Sequence, residues 1–261
     1  MSILTCPVCA QPLQPHERTF TCPSGHAFDL AKEGYLNLLL PTQRRSRHPG
    51  DAPELCRARR AFLSAGYYAP LRDFVAARVC GETVLDACCG EGYYTSAFAA
   101  DGRAVYGFDI AKDMVRLASK SDKRAFYFVA GLHSIPVESG SVDTLTHLFA
   151  PFEDAEFRRV LKPGGTLLSV LPGEKHLWQM KETLYETPYP NRETPPRTGL
   201  RLLKTERLRY DVDLAAKEDV LNLFRMTPYS YKTARDGEAK LCALDSLRTT
   251  VDFVVLTYGK D

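Results

Sequence analysis

The sequence has no long hydrophobic run and no segment typical of a secretion signal. No stretch reaches 18 consecutive apolar residues, so we expect no membrane-spanning helix. The first residues, MSILTCPVCA, contain no basic segment followed by an apolar one, so a cleavable signal is not expected either. Internal repeats and low-complexity tracts are also missing. With 44% hydrophobic and 25% charged residues among 261, the composition is that of a soluble globular protein, for which we expect a cytoplasmic location.

The eight cysteines are too unevenly placed to suggest a disulfide framework. Cys6, Cys9 and Cys22 crowd the N-terminus and, with His26, form C-x2-C-x12-C-x3-H, a spacing that presents two pairs of ligands to one tetrahedral zinc ion. Bound metal would supply stability that this short, poorly apolar region lacks. Ordinary reduced thiols are the alternative. A nucleic-acid-binding zinc finger is disfavoured because no amphipathic helix lies between Cys9 and Cys22. We expect His16 to be exposed.

Positive charge is concentrated in the first third of the chain. Residues 1–80 carry ten Lys or Arg and six Asp or Glu, although the whole chain has a net charge of only +2. Much of the excess lies at Arg44, Arg45, Arg47, Arg57, Arg59 and Arg60. A solvated loop and helix face would explain such a run. Contact with a polyanion becomes the better explanation only if the rest of the chain acts on a nucleic acid.

Beyond residue 81, short apolar strands alternate with helical segments. We predict strands at 83–87, 104–108, 125–129, 142–149 and 166–171, and helices that end near 100 or cover 112–120 and 154–161. This alternation predicts an α/β fold with a parallel, Rossmann-like sheet. Two later runs, 202–212 and 249–256, look like strands without a following helix and could form an antiparallel edge. We therefore predict a zinc-binding module at 1–40, a basic linker with helices at 41–80, and a Rossmann-like domain at 81–261.

A glycine-containing turn follows the first predicted strand of this domain, where a doubly wound sheet binds nucleotide-like ligands. Gly90 and Gly92 let a flat ligand approach the backbone. Asp86 would repel a pyrophosphate but would favour the cationic S-adenosylmethionine. Asp109, which ends the second strand, is placed to bind ribose hydroxyls, although it could also cap a helix. Cys88 stands where methyltransferases usually have a glycine, and we expect it and Cys89 to serve packing rather than redox chemistry.

Several motifs elsewhere in the chain recur together in one known family. They include HAFDLAKEGY at 26–35, GYYAPL at 66–71, GEGYYT at 90–95, FAP at 149–151 and MTP at 226–228. With them the chain resembles the large-subunit rRNA guanine-N1 methyltransferases over nearly its whole length. The resemblance implies a zinc module joined to a class I methyltransferase sheet, working as a homodimer. It also implies methyl-donor contacts at Tyr68, Tyr94, Thr95 and His176.

The resemblance further implies N1-methylguanine as the product, in a hairpin loop of 23S rRNA domain II. RNA phosphates would then contact the arginines at 44, 45, 47, 59 and 60. The catalytic proton acceptor stays open: His133, His147, Glu153, Asp154 and solvent are the candidates. The segment Phe149–Phe152 offers an aromatic surface that could stack on guanine or belong to the core. A small-molecule methyltransferase and a non-catalytic zinc-dependent RNA-binding protein are the rival hypotheses.

Overall fold

The computed structural model describes residues 2–43, 50, 52–99, 102–233 and 235–261. At the N-terminus, three short antiparallel strands form a small sheet: β1 (Gln14–His16), β2 (Thr19–Thr21) and β3 (Ala27–Asp29). The loops beside these strands carry the cysteines and histidine of the predicted metal site. His16 is exposed, as expected.

Eight further strands form the main sheet. They are β4 (Leu36–Asn37), β5 (Thr83–Ala87), β6 (Ala104–Asp109), β7 (Phe126–Val129), β8 (Val142–Leu148), β9 (Leu161–Pro172), β10 (Arg201–Leu214) and β11 (Leu247–Gly259). Their order across the sheet is β10-β11-β9-β8-β5-β6-β7-β4. The chain builds β5, β6 and β7 outwards in one direction and then crosses back to add β8 and β9 on the other side of β5. All five are parallel, so the predicted Rossmann-like sheet is confirmed.

The predicted antiparallel edge is also confirmed. β11 pairs with β9, and β10 pairs with β11, in both cases antiparallel. The expectation that no helix follows the first of these strands was wrong, because the described residues between β10 and β11 form three helices. The first of these helices has apolar side chains spaced to pack on a core: Val220, Leu221, Leu223 and Phe224 are all buried.

The described helices are α1 (Pro53–Ser64), α2 (Ala69–Ala76), α3 (Thr95–Phe98), α4 (Lys112–Ser121), α5 (Asp154–Val160), α6 (Trp178–Leu184), α7 (Lys217–Arg225), α8 (Tyr229–Lys232) and α9 (Arg235–Cys242). The helices predicted within 41–80 are α1 and α2, and they are separated at Gly66, which adopts a left-handed φ of +85°. None of these helices has the length and apolar composition needed to cross a membrane.

The N-terminal module shares a hydrophobic core with the main sheet. Leu4, Leu13 and Phe20 are buried in the same cluster as Phe108 and Phe128 of the sheet. Backbone hydrogen bonds also join residues 3–5 to residues 136–138. The module is therefore stabilised by burial against the sheet as well as by any metal. Residues 36–37, included in the predicted module, form β4 at the edge of the main sheet; the division at residue 40 stays a prediction.

Candidate zinc and methyl-donor sites

The four predicted metal ligands lie together. The ligand atoms of Cys6, Cys9, Cys22 and His26 are all within 4.8 Å of one another. Cys9 Sγ is 3.6 Å from Cys22 Sγ, and His26 Nδ1 is 3.3 Å from Cys22 Sγ. Tetrahedral zinc with Zn–S bonds of about 2.3 Å requires sulfur atoms about 3.8 Å apart, so this arrangement fits zinc closely. A backbone hydrogen bond at Gln11 lowers the pKa of Cys9 to about 6, which favours the thiolate that metals bind.

The loop after β5 has an unusual backbone. Cys88, Gly90 and Gly92 have φ values of +59°, +56° and +80°, all in the left-handed region. Glycine adopts such a φ without strain, which explains why methyltransferases usually have glycine at the position of Cys88. Here the cysteine adopts the same conformation at a cost in free energy. A Cβ atom added at Gly90 would meet nothing within 4 Å, so this side of the loop has room for a ligand. At Gly92 a Cβ atom would lie 2.7 Å from Tyr127 Oη, so packing also requires glycine there.

Asp86 lies beneath this loop with its side chain buried. Its carboxylate accepts hydrogen bonds from the hydroxyls of Thr95, at 2.5 Å, and Thr146, at 2.7 Å. Burial raises its pKa to about 6, although both hydroxyls act in the opposite direction. Asp86 thus places a mostly ionised carboxylate under the loop at neutral pH and ties α3 and β8 to β5.

Asp109, at the end of β6, braces the same loop. Its two carboxylate oxygens accept hydrogen bonds from the backbone N–H groups of Gly90, at 3.0 Å, and Ala111, at 2.8 Å. Helix α4 has Ala111 as its N-cap, with no side-chain capping bond, so Asp109 forms a turn before the helix instead of capping it. A carboxylate can accept about four hydrogen bonds. The same side chain can therefore bind ribose hydroxyls in the predicted manner.

Tyr68 and His176, which lie far apart in the sequence, meet in the fold. Tyr68 Oη is 3.4 Å from His176 Nε2, and the backbone N–H of Asp252 donates to His176 Nδ1 at 3.2 Å. Burial lowers the pKa of His176 to about 3, so the ring is neutral. Because Nδ1 accepts, Nε2 carries the proton and donates to Tyr68. Both rings pack against Phe253, with centroid separations of 5.1 and 4.7 Å.

Tyr94 completes the set of predicted donor residues. It precedes α3 directly, and its ring packs edge-on against Tyr93 with centroids 5.0 Å apart. Burial and the nearby Tyr68 raise its pKa well above the usual value, so its hydroxyl stays protonated. The structure therefore places the predicted residues at the ends of β5 and β6, at the starts of α2 and α3 and, for His176, between β9 and α6. Their contacts with the donor remain predictions.

Comparison with known proteins identifies the family. Residues 4–47 match a zinc-ribbon family described as "RlmA, N-terminal", and residues 84–165 match one described as "Methyltransferase domain". The chain is 36% identical over 191 residues to the 23S rRNA (guanine(748)-N(1))-methyltransferase of Streptomyces fradiae, a match covering 69% of this chain and 67% of that protein. It is 30% identical over 282 residues to the "Putative 23S rRNA (guanine-N(1)-)-methyltransferase YxjB" of Bacillus subtilis, covering 98% and 96%. The chain belongs to the 23S rRNA (guanine-N1)-methyltransferase family.

A solved structure agrees on the fold. The "Putative Type II Methyltransferase" from Anaeromyxobacter dehalogenans is similar with a TM-score of 0.52 at 17% identity, covering 73% of this chain and 94% of that one. The chain described here, as a member of its family, uses S-adenosylmethionine and contains zinc, as expected. The site described above suits both: three thiols and an imidazole suit zinc, and the open side of Gly90 beside Asp109 suits a nucleoside with a cationic tail.

Two of the predicted RNA-binding arginines of the methyltransferase lie beside the donor loop. Arg60 Nε is 3.6 Å from the carboxylate of Glu91. Burial raises the pKa of Glu91, and the positive charges of Arg60 and Arg59 offset part of this rise. Arg60 is half exposed, so it can still reach a phosphate. Arg44, Arg45 and Arg47 lie outside the described residues. RNA binding by all five stays a prediction.

The four candidate proton acceptors of the methyltransferase differ in accessibility. His147 is buried, and its Nε2 lies 2.8 Å from the carbonyl oxygen of Ala150. Asp154 accepts from the Thr198 hydroxyl and pairs with Arg158. His133 and Glu153, in contrast, form a pair at 2.6 Å in which the histidine side chain is 73% exposed. Of the four side chains, His133 is therefore the most open to solvent.

Thr146, Phe253 and Asp252 were missed by sequence reasoning. Thr146 holds Asp86, Phe253 supports Tyr68 and His176, and Asp252 orients the His176 ring. The signal for Thr146 was weak, because the strand sequence VDTLTHL mixes polar and apolar residues. The other two lie on β11, which lies between β10 and β9 in the sheet and reaches the site through its pairing with β9.

Proposed function

We propose that this chain methylates N1 of a guanine in 23S rRNA, in a hairpin loop of domain II. The observation that carries the proposal is one combination: a Cys3His cluster packed on a methyltransferase sheet, in a chain matched over 98% of its length by the relative named "Putative 23S rRNA (guanine-N(1)-)-methyltransferase YxjB". The cytoplasmic location expected from the composition and the homodimer implied by the family resemblance belong to the same proposal.

The target base must leave its pairing before it reacts. N1 of guanine carries a proton and lies on the Watson–Crick edge, so it is reached only in an unpaired or flipped-out nucleotide. A hairpin loop makes this inexpensive. When bound, S-adenosylmethionine supplies the electrophilic methyl group. We expect Asp109, which already braces the donor loop, to hold its ribose, and the hydroxyl of Tyr68, fixed by the neutral His176, to contact the donor as well. Catalysis then rests mainly on positioning.

The proton on guanine N1 passes to His133 or to water. His133 is exposed and hydrogen-bonded to Glu153, which holds its ring in one orientation. His147 and Asp154 are poorer acceptors because the fold already uses them. Replacing His133 by alanine distinguishes the two routes: a large loss of turnover with unchanged RNA affinity supports the side chain, and full turnover supports water.

The deciding experiment supplies labelled donor with 23S rRNA from a strain that lacks this enzyme, and separately with a metabolite extract. Incorporation into rRNA, with a primer-extension stop at one guanine, supports the proposal because a methyl group on N1 blocks base pairing. Incorporation into the extract alone would instead support a small-molecule methyltransferase. Calorimetry that detects no donor binding would support a non-catalytic RNA-binding protein. An Asp109→Ala variant, expected to lose donor affinity, is the control.

A further inference from the structure

One aromatic side chain at the donor edge of the sheet is both exposed and conformationally strained. Phe149, the first residue after β8, is 47% exposed and has a φ of +56°. Aromatic residues rarely adopt this left-handed conformation, because their Cβ atom crowds the backbone there. Glycine would adopt it freely. Neither burial nor backbone preference therefore explains a phenylalanine at this position.

The turn that presents Phe149 is held firmly from below. His147 is buried, and burial lowers its pKa, so the ring is neutral. Its Nε2 lies 2.8 Å from the carbonyl oxygen of Ala150 and 3.1 Å from that of Pro151, a geometry in which one N–H donates to both. Phe152, in contrast, packs edge-on against Phe157 with centroids 5.0 Å apart. Of the two phenylalanines in this segment, only Phe149 offers a largely open ring.

The ring also lies next to the predicted donor residues. β8 pairs with β5, and His147 is opposite Ala87, so Phe149 emerges beside the start of the donor loop. Its centroid is 5.7 Å from that of Phe253, the ring on which Tyr68 and His176 both pack. Parallel strands present their carboxyl ends at one edge, where ligands of such sheets bind.

We propose that Phe149 is the platform on which the flipped-out target guanine stacks. The inference rests on the proposed function. A flat, apolar ring held at a fixed angle binds the face of a base and leaves its Watson–Crick edge, which includes N1, open to the methyl group. The segment supplies no Asp or Asn to bind that edge. Stacking by Phe149 would thus position the base without selecting guanine over other purines.

The test compares Phe149→Gly with Phe149→Trp. The control for removing an exposed aromatic ring is Tyr231→Ala, because Tyr231 is 69% exposed. Base stacking on an aromatic residue is worth about 1–3 kcal/mol, so kcat/KM for the rRNA substrate should fall about 5- to 160-fold in Phe149→Gly. Because glycine adopts the left-handed backbone conformation freely, the melting temperature of the Phe149→Gly variant should not fall below that of the wild type. Phe149→Trp should keep activity within about threefold of the wild type, since its ring also stacks. Donor affinity, measured by calorimetry, should be the same in all four proteins.

Three outcomes would overturn the inference. The first is full rRNA methylation by Phe149→Gly, and the second is a Phe149→Trp variant as impaired as the glycine one. The third is a loss of donor affinity that accounts for the whole loss of activity, which would make Phe149 a donor-binding residue. In each of these cases the wild-type enzyme still methylates rRNA, so the proposed function stands. If the wild type methylates no rRNA, both the proposed function and this inference fail.

Discussion

Replacing the buried Asp86 by asparagine should stabilise the fold near neutral pH and weaken donor binding. The carboxylate is enclosed at the bottom of the donor loop, where only the hydroxyls of Thr95 and Thr146 offset its lost hydration. Asparagine has the same shape and no charge, and the threonine hydroxyls can rotate to accept from its amide group. The change therefore removes the buried charge and keeps the packing.

The magnitude follows from the pKa of Asp86. It is about 6 in the folded protein against 3.8 for an unperturbed carboxyl, because burial disfavours the ionised form. Since the folded pKa is raised, the folded state holds the proton more tightly between these values. The contribution of Asp86 to stability is therefore lost as pH rises from about 4 to about 6, and stays lost above that. A difference of about 2 pKa units corresponds to about 3 kcal/mol at pH 7.

Urea unfolding of both proteins at pH 4, 5, 6 and 7 measures this directly. The free energy of unfolding of Asp86→Asn minus that of the wild type should rise by about 3 kcal/mol across the series. Other groups titrate alike in the two proteins and cancel. A difference that does not change with pH would refute the reasoning. Calorimetry at pH 7 should show donor affinity reduced about tenfold or more, as for loss of one interaction with a charged group.

Three further predictions concern the zinc cluster, the edge strands and RNA binding. Cys9→Ser should release zinc, as measured by metal analysis, and unfold the N-terminal sheet, because zinc contributes about 10–16 kcal/mol in comparable modules. Cys80 lies outside the cluster, so the control variant Cys80→Ser should keep both the zinc and the sheet. Arg207 on β10 forms an ion pair with the buried Asp252 on β11. Arg207→Met should therefore lower the free energy of unfolding, measured in urea, by about 2–3 kcal/mol, which is less than for a fully buried ion pair because the arginine is 43% exposed. Adding Asp252→Asn should restore most of the lost stability, because it removes the unpaired buried charge. Neutralising arginines in the stretch 44–60 should weaken rRNA binding. The slope of log affinity against log salt concentration should become shallower by about 0.7 for each phosphate that the protein no longer neutralises. An affinity that does not depend on salt would contradict the predicted binding of phosphates.

Features that depend on near neighbours in the sequence were predictable. The metal cluster follows from spacing within 21 residues, because a knuckle turn needs only local contacts. The five parallel strands follow from alternating apolar and helical segments, and their boundaries were correct to within a few residues except at β9, which begins earlier than predicted. Its first residues include Gly164 and Gly165, whose backbone groups exchange hydrogen bonds with Lys260, a residue far away in the sequence.

What could not be predicted are the partners that meet through the topology of the sheet. Local reasoning made Asp86 a donor-binding residue, and the structure adds a second role, the support of the loop through Thr146 on a strand 60 residues away. Tyr68 and His176 were named by resemblance, but their pairing and the protonation of the imidazole depend on a backbone N–H of β11. The buried charge, the left-handed Cys88 and the left-handed Phe149 all lie at the ends of β5 and β8. Such costs, concentrated at one edge of an otherwise regular sheet, are expected where a fold is shaped for binding and not for its own stability.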